Sequence, residues 1–249
     1  LYNASTLSGF NWLPIIDKVS IARLPRKMFY AGDFQTNVAL MAGYCKNGGS
    51  LFTDWSLDIF TYEQQMVEGF GPYSVTVEST YPPISYPSPI YSHSWSAMLT
   101  DSFFYCPAFE LLDLAAKHTS NVYAYIHDQR PSWAPPSTAN LGVYHSSELP
   151  FVWHHAPSPH VALTAAEQRL ARTVQNYVGA FARSGVPGDG GGSVTWPAWS
   201  STSRASLVWN EHVNVVVGRH TTQCTFWRLL SDETCSALPC KCNGGCVTG

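Results

Sequence analysis

Three short runs of apolar, β-branched and aromatic residues, Val38–Tyr44, Val122–Ile126 and Leu207–Val217, are separated by long stretches with helical periodicity. That alternation admits few folds. Strands of this length, spaced by helices rather than tight turns, read as an α/β protein with a parallel sheet and helices on both faces. Val38–Tyr44 is bounded by polar residues and suits a buried parallel strand, although its length alone does not exclude a buried helix. Val122–Ile126 alternates aromatic and small or β-branched residues, as a strand does. Thr164-Ala165-Ala166-Glu167 is a capping box. It opens a helix whose Leu170, Val174, Val178 and Phe181 recur every three or four residues, and which Gly185 and Pro187 end. Leu57, Phe60, Met66 and Val67 predict a looser amphipathic helix within Trp55–Gly69. Another is predicted to follow Asp101 and run to about Lys117. The Pro-rich Tyr81–Tyr91 stretch is expected to be a loop.

Charge limits the partners. The net charge of −3 and pI near 6.3 argue against nucleic acid or an anionic membrane as the main partner. No apolar run approaches the ~20 residues of a membrane span. Only 12% of residues are charged, against about 25% in ordinary globular chains. Either a large face is covered by something else, or the surface is neutral, secreted and glycosylated. Asn3-Ala4-Ser5 is a glycosylation sequon, and seven Cys, four of them among the last fifteen residues, favour an oxidising compartment. With Leu1 rather than Met in first position, the expectation is a mature or cleaved, secreted chain.

The chemistry centres on Gly142-Val143-Tyr144-His145-Ser146-Ser147-Glu148-Leu149-Pro150-Phe151-Val152-Trp153. The stretch resembles the type-B carboxylesterase/cholinesterase segment Gly-Val-x-His-Gly-x-Glu, whose His is the general base of a Ser-Glu-His triad. The resemblance gives that role to His145, with Ser146 where the family usually has Gly, and gives Glu148 a supporting place beneath the site. Further motifs follow in family order: Trp12–Asp17, Leu24-Pro25, Ala31–Gln35, Asp101-Ser102-Phe103-Phe104-Tyr105-Cys106-Pro107, Tyr177 with Phe181 to Pro187, Trp196-Pro197, and Gln223-Cys224-Thr225-Phe226-Trp227. In cholinesterase-like members the counterparts of Cys106 and Cys224 are bonded, so the resemblance implies that pair.

The acid loop departs from the family. Where the family reads Asp/Asn-Glu-Gly and its Glu is the triad acid, this chain reads Asn47-Gly48-Gly49. Gly48 has no carboxylate to orient an imidazole. Asp54, six residues on, is one substitute, and Glu148 is another. The Gly-x-Ser-x-Gly nucleophile elbow is absent from this sequence, as are the oxyanion-hole glycines. Gly190-Gly191-Gly192 is not a phosphate loop, since no Lys-Ser/Thr follows.

The resemblance implies the C-terminal half of an α/β-hydrolase domain over residues 1–230, followed by a disulfide-rich tail over 231–249. The tail spacing Cys235-x4-Cys240-x-Cys242-x3-Cys246 lacks the paired knuckles of a zinc site, and neither metal nor cofactor is expected. Cys45 is left free, or bridged to the missing half. The implied activity is ester hydrolysis, possible only with an N-terminal half of the same fold that carries the Ser. The alternatives are a non-catalytic cholinesterase-like binding or adhesion protein, and an extracellular structural protein cross-linked through its tail.

Overall fold

The computed structural model describes residues 16–156, 158 and 160–237, with side chains to Ser231. Asn3, the first part of the Trp12–Asp17 motif and three of the tail cysteines lie outside the described residues. The chain divides into two compact units. One takes in the residues up to Phe34, Asp54–Trp95 and those from Thr222 on; the other is Gln35–Thr53 with Ser96–Thr221.

The first unit is helical. Short α1 (Pro25–Tyr30) begins with Pro at its first turn, where a missing N–H costs nothing. Helix α2 (Ile59–Phe70) starts at Asp58, whose carboxylate accepts from Thr61 N at 2.8 Å, and fulfils the helix expected within Trp55–Gly69. Helix α3 spans Ser74–Thr80, and α4 spans Ile90–Leu99, of which the residues to Trp95 belong to this unit. The stretch expected as a loop contains a 3-10 turn at Pro83–Ser85 and the first residues of α4. Tyr62, Met66 and Phe70 from α2, with Val77, Tyr81, Trp95 and Trp227, form this unit's core. Two hydrogen bonds tie this core together: Trp227 Nε1 donates to Tyr81 Oη at 2.7 Å, and Ser94 Oγ to the Tyr81 carbonyl at 2.6 Å.

The second unit holds a four-stranded sheet in the order β1-β2-β3-β4: β1 (Leu40–Cys45), β2 (Val122–His127), β3 (Ser206–Trp209) and β4 (Asn214–Val216). The β1/β2 and β2/β3 pairs are parallel. The single late strand expected over Leu207–Val217 is instead two strands, with β4 antiparallel to β3. The chain turns back at Asn210, whose Oδ1 accepts from His212 N at 2.9 Å. That Asx turn offers the backbone a partner other than a neighbouring strand.

Helix α5 (Cys106–Ala115) covers one face, with Phe109 and the preceding Tyr105 against Tyr44 of β1. It is preceded by a π-helical turn, Thr100–Tyr105. Pro107, lacking an N–H, cannot continue the α-helical ladder there. After β2 come α6 (Leu149–Val152) and α7 (Ala165–Ser184). Leu170, Ala171, Val174 and Tyr177 of α7 pack with Tyr123, Leu207 and Trp209 on the sheet's other face and with Phe151 of α6, the larger buried side chains such as Leu170 and Val174 each contributing about 1.5–3 kcal/mol. Both reciprocal bonds of the Thr164/Glu167 capping box form, and Gly185 ends α7 in the left-handed region. The architecture is thus mixed α/β with a small sheet. Helix α8 (Thr221–Ala237) belongs, from Thr222 on, to the first unit.

Candidate functional site

The candidate site lies in the second unit, where β1 and β2 run out and two loops meet. After β1 the chain forms a 3-10 turn, Gly48–Phe52. After β2 it passes through a 3-10 stretch, Pro136–Leu141, and reaches His145. Asn47 fastens the two loops: its N–H donates to the Val143 carbonyl at 2.9 Å, and its Oδ1 accepts from Val143 N at 3.1 Å. Ser50 Oγ donates to the Leu141 carbonyl at 2.6 Å. Gly142 allows this approach. Its φ is +56°, and a Cβ there would stand 2.5 Å from Asn47 Oδ1.

His145 is half-buried, its ring centroid 4.9 Å from that of Phe104 and 5.7 Å from that of Phe52. Among the described residues its ring makes no hydrogen bond or ion pair. Gly48 faces the same aromatic group, since a Cβ on it would lie 3.0 Å from Phe104 Cδ2. The structure therefore brings the acid loop and the His loop together, with a phenyl ring against both His145 and Gly48. Ser146, which stands for the usual Gly, has φ +71°, in the left-handed region that favours glycine.

The two substitute carboxylates are engaged elsewhere. Asp54 Oδ1 accepts from Ser56 Oγ at 2.6 Å and Ser56 N at 2.9 Å, and these bonds hold its carboxyl below the usual range. Glu148 Oε2 accepts from Cys45 Sγ at 2.7 Å. Burial, and then the charge of Glu148, push the Cys45 thiol far up. Cys45 is a free, buried thiol, whereas Cys106 and Cys224 are both disulfide-bonded. Sequence reasoning missed Phe52, Phe104 and Asn47 as parts of the site. Asn47 was signalled only by its place immediately before Gly48. No group of three His, Cys, Asp or Glu suited to a metal ion occurs among the described residues, and no described helix is long and apolar enough to cross a membrane.

The family model described as the carboxylesterase family matches residues 88–227, more than half of the chain. The chain belongs to the carboxylesterase family. Within curated relatives it is 30% identical over 143 residues to the cholinesterase of Mus musculus, covering 56% of this chain and 23% of that protein. It is 32% identical over 129 residues to the acetylcholinesterase of Gallus gallus, covering 49% and 16%. The acetylcholinesterase of Bungarus fasciatus is 26% identical over 214 residues, 78% of this chain and 34% of its own length. The chain thus spans between 16% and 34% of these family members.

Proposed function

We propose that this chain is the His-bearing, C-terminal part of an α/β-hydrolase fold. It contributes His145 to a serine-esterase site only when a polypeptide carrying Gly-x-Ser-x-Gly completes the fold, either as a separate chain or as a preceding segment. The observation that carries the reading is the joining of the His145 and Gly48 loops through Asn47, Ser50 and Phe104. This is the arrangement a base and its orienting acid require. The half-exposed β1 edge supports it too, because parallel sheets are ordinarily flanked and covered, and β1 pairs only with β2 among the described residues.

A hydroxyl becomes a nucleophile when an imidazole takes its proton and an acid fixes the imidazole's tautomer. His145 has the first role, and among the described residues no carboxylate bonds to its ring to fill the second. Losing an orienting carboxylate costs on the order of 10⁴ in turnover in the serine-protease template. Gly48 therefore favours a second reading, a cholinesterase-like protein that binds without hydrolysing. The disulfide-bonded Cys106 and Cys224 suit an extracellular setting for either.

The test is ester hydrolysis, with p-nitrophenyl and choline esters, by this chain alone and by the chain assembled with a Gly-x-Ser-x-Gly partner. Activity of the chain alone above imidazole background would overturn the first reading. Serine-dependent turnover by the assembly that His145→Ala abolishes supports it. No turnover at all leaves the binding role.

A further inference from the structure

We propose that Cys45 is a positioning residue for the His145 loop, its thiol donating to the Glu148 carboxylate and so tying the turn that carries the imidazole to the end of β1. The inference rests on the reading that this loop is the functional one. Two successive side chains of the turn converge on a single sulfur: Glu148 Oε2 lies 2.7 Å from Cys45 Sγ, and Ser147 Oγ donates to the same atom at 3.8 Å. Both Cys45 and Ser147 are buried, at 4% and 1% exposure. A separation of 2.7 Å needs a proton between sulfur and carboxylate, since a thiolate would repel the negative oxygen. Burial and the nearby carboxylate both keep that proton on the sulfur.

The geometry of the turn shows why such a tie matters. His145 is held on its N-terminal side by the two Asn47–Val143 bonds and by Ser50 on the Leu141 carbonyl. On its C-terminal side Ser146 sits in the left-handed region, a conformation that side chains other than glycine seldom hold unaided. The Ser147 N–H to Tyr144 carbonyl bond closes the turn locally, but it does not attach it to the sheet. Cys45 makes that attachment from β1, in register with His127 of β2. A thiol buried and engaged in this way acts as a hydrogen-bond donor, not as a cross-link to another chain.

Infrared spectroscopy tests this directly through the S–H stretch of the intact chain, assigned by difference against Cys45→Ser. The expected Cys45 band is broadened and displaced to lower wavenumber than a free thiol, and Glu148→Gln moves it back toward the free-thiol position. The imidazole NMR signals of His145 should shift in Cys45→Ala and return toward their original positions in Cys45→Ser, whose hydroxyl restores the donor. A free-thiol band in the unmodified chain, or His145 signals that ignore Cys45→Ala, would overturn the proposal. Should Cys45→Ala not fold, the band of the unmodified chain and its response to Glu148→Gln still decide. Neither readout depends on ester turnover, so an inactive assembly would remove the catalytic reading and leave this one standing.

Discussion

The ring of Phe104 stands 4.9 Å from the ring of His145, on the same side chain whose Cδ2 would meet a Cβ on Gly48 at 3.0 Å. Position 48 and the imidazole therefore share the Phe104 ring as a neighbour, and position 48 is crowded by it. In an assembly with a Ser-bearing partner, Gly48→Glu should raise kcat by orders of magnitude by orienting the imidazole. Phe104 would have to give way by a few tenths of an ångström, at a stability cost of about 1–3 kcal/mol. Gly48→Ala, which adds the crowding without the carboxylate, should lower stability slightly and leave kcat alone. If the unmodified assembly already turns over at ordinary esterase rates and Gly48→Glu changes nothing, another acid is at work, and Asp54→Asn becomes the next comparison.

Ser146 holds φ +71° where the family usually has glycine. A side chain in that region is disfavoured by about 1–2 kcal/mol. Ser146→Gly should accordingly stabilise the protein by about 1 kcal/mol, with glycine's greater freedom in the unfolded chain offsetting part of the gain. Urea titration would show a higher midpoint at unchanged slope. A lower midpoint would mean that the Ser146 side chain makes a contribution larger than its strain.

The elements that the sequence revealed best are those whose signal is local. The Thr164/Glu167 capping box, the three-and-four spacing of Leu170 and Val174, and Gly185 fixed α7 almost to the residue. The β1 and β2 strands came from short apolar runs with polar boundaries. The β3/β4 reversal was visible only as Asn210-Glu211-His212, polar residues inside a run read as one strand. The π-helical turn at Thr100–Tyr105 left no period to detect. Within the site, His145 and Gly48 were legible because a motif names them. Phe104 against Gly48 and Cys45 against Glu148 were not, because those contacts depend on how strand ends register and loops cross. Nor does any composition shift along the chain mark the two interleaved units.

The cysteine chemistry gives a prediction on covalent structure. Cys106 and Cys224 are both disulfide-bonded, and the expected partner of each is the other. In the chain-entropy account, closing a loop of that length stabilises by about 4–5 kcal/mol, usually less in practice. Non-reducing peptide mapping should recover the two peptides joined. Under native conditions Cys45 should resist alkylation, and react only after denaturation, because burial and Glu148 suppress its thiolate. Recovery of Cys106 as a free thiol, or rapid native alkylation of Cys45, would contradict this assignment.

Acid stability should depend on His127. Its side chain is fully buried at the end of β2, its ring 4.9 Å from that of Phe151, and among the described residues neither ring nitrogen makes a well-formed hydrogen bond, the Gln129 backbone offering only a weak one. Burial pushes its pKa from 6.5 down to about 3, an effect the nearby Gln129 backbone only partly offsets. The folded value lies below the unfolded one, so below pH 6.5 the unfolded chain binds the extra proton. The stabilising contribution of a neutral His127 is complete above the unfolded pKa. It drains away as pH falls toward 3, by up to about 1.4 kcal/mol per pH unit. His127→Phe replaces the imidazole with an apolar ring and removes that proton uptake. At neutral pH the variant should be at least as stable as the unmodified chain, since no buried ring nitrogen is left unpaired. Between about pH 7 and 4.5 the gap in urea midpoint should then widen in the variant's favour. A gap that stays constant over that range would show that His127 does not remain neutral in the folded protein, and that some other group sets its acid sensitivity.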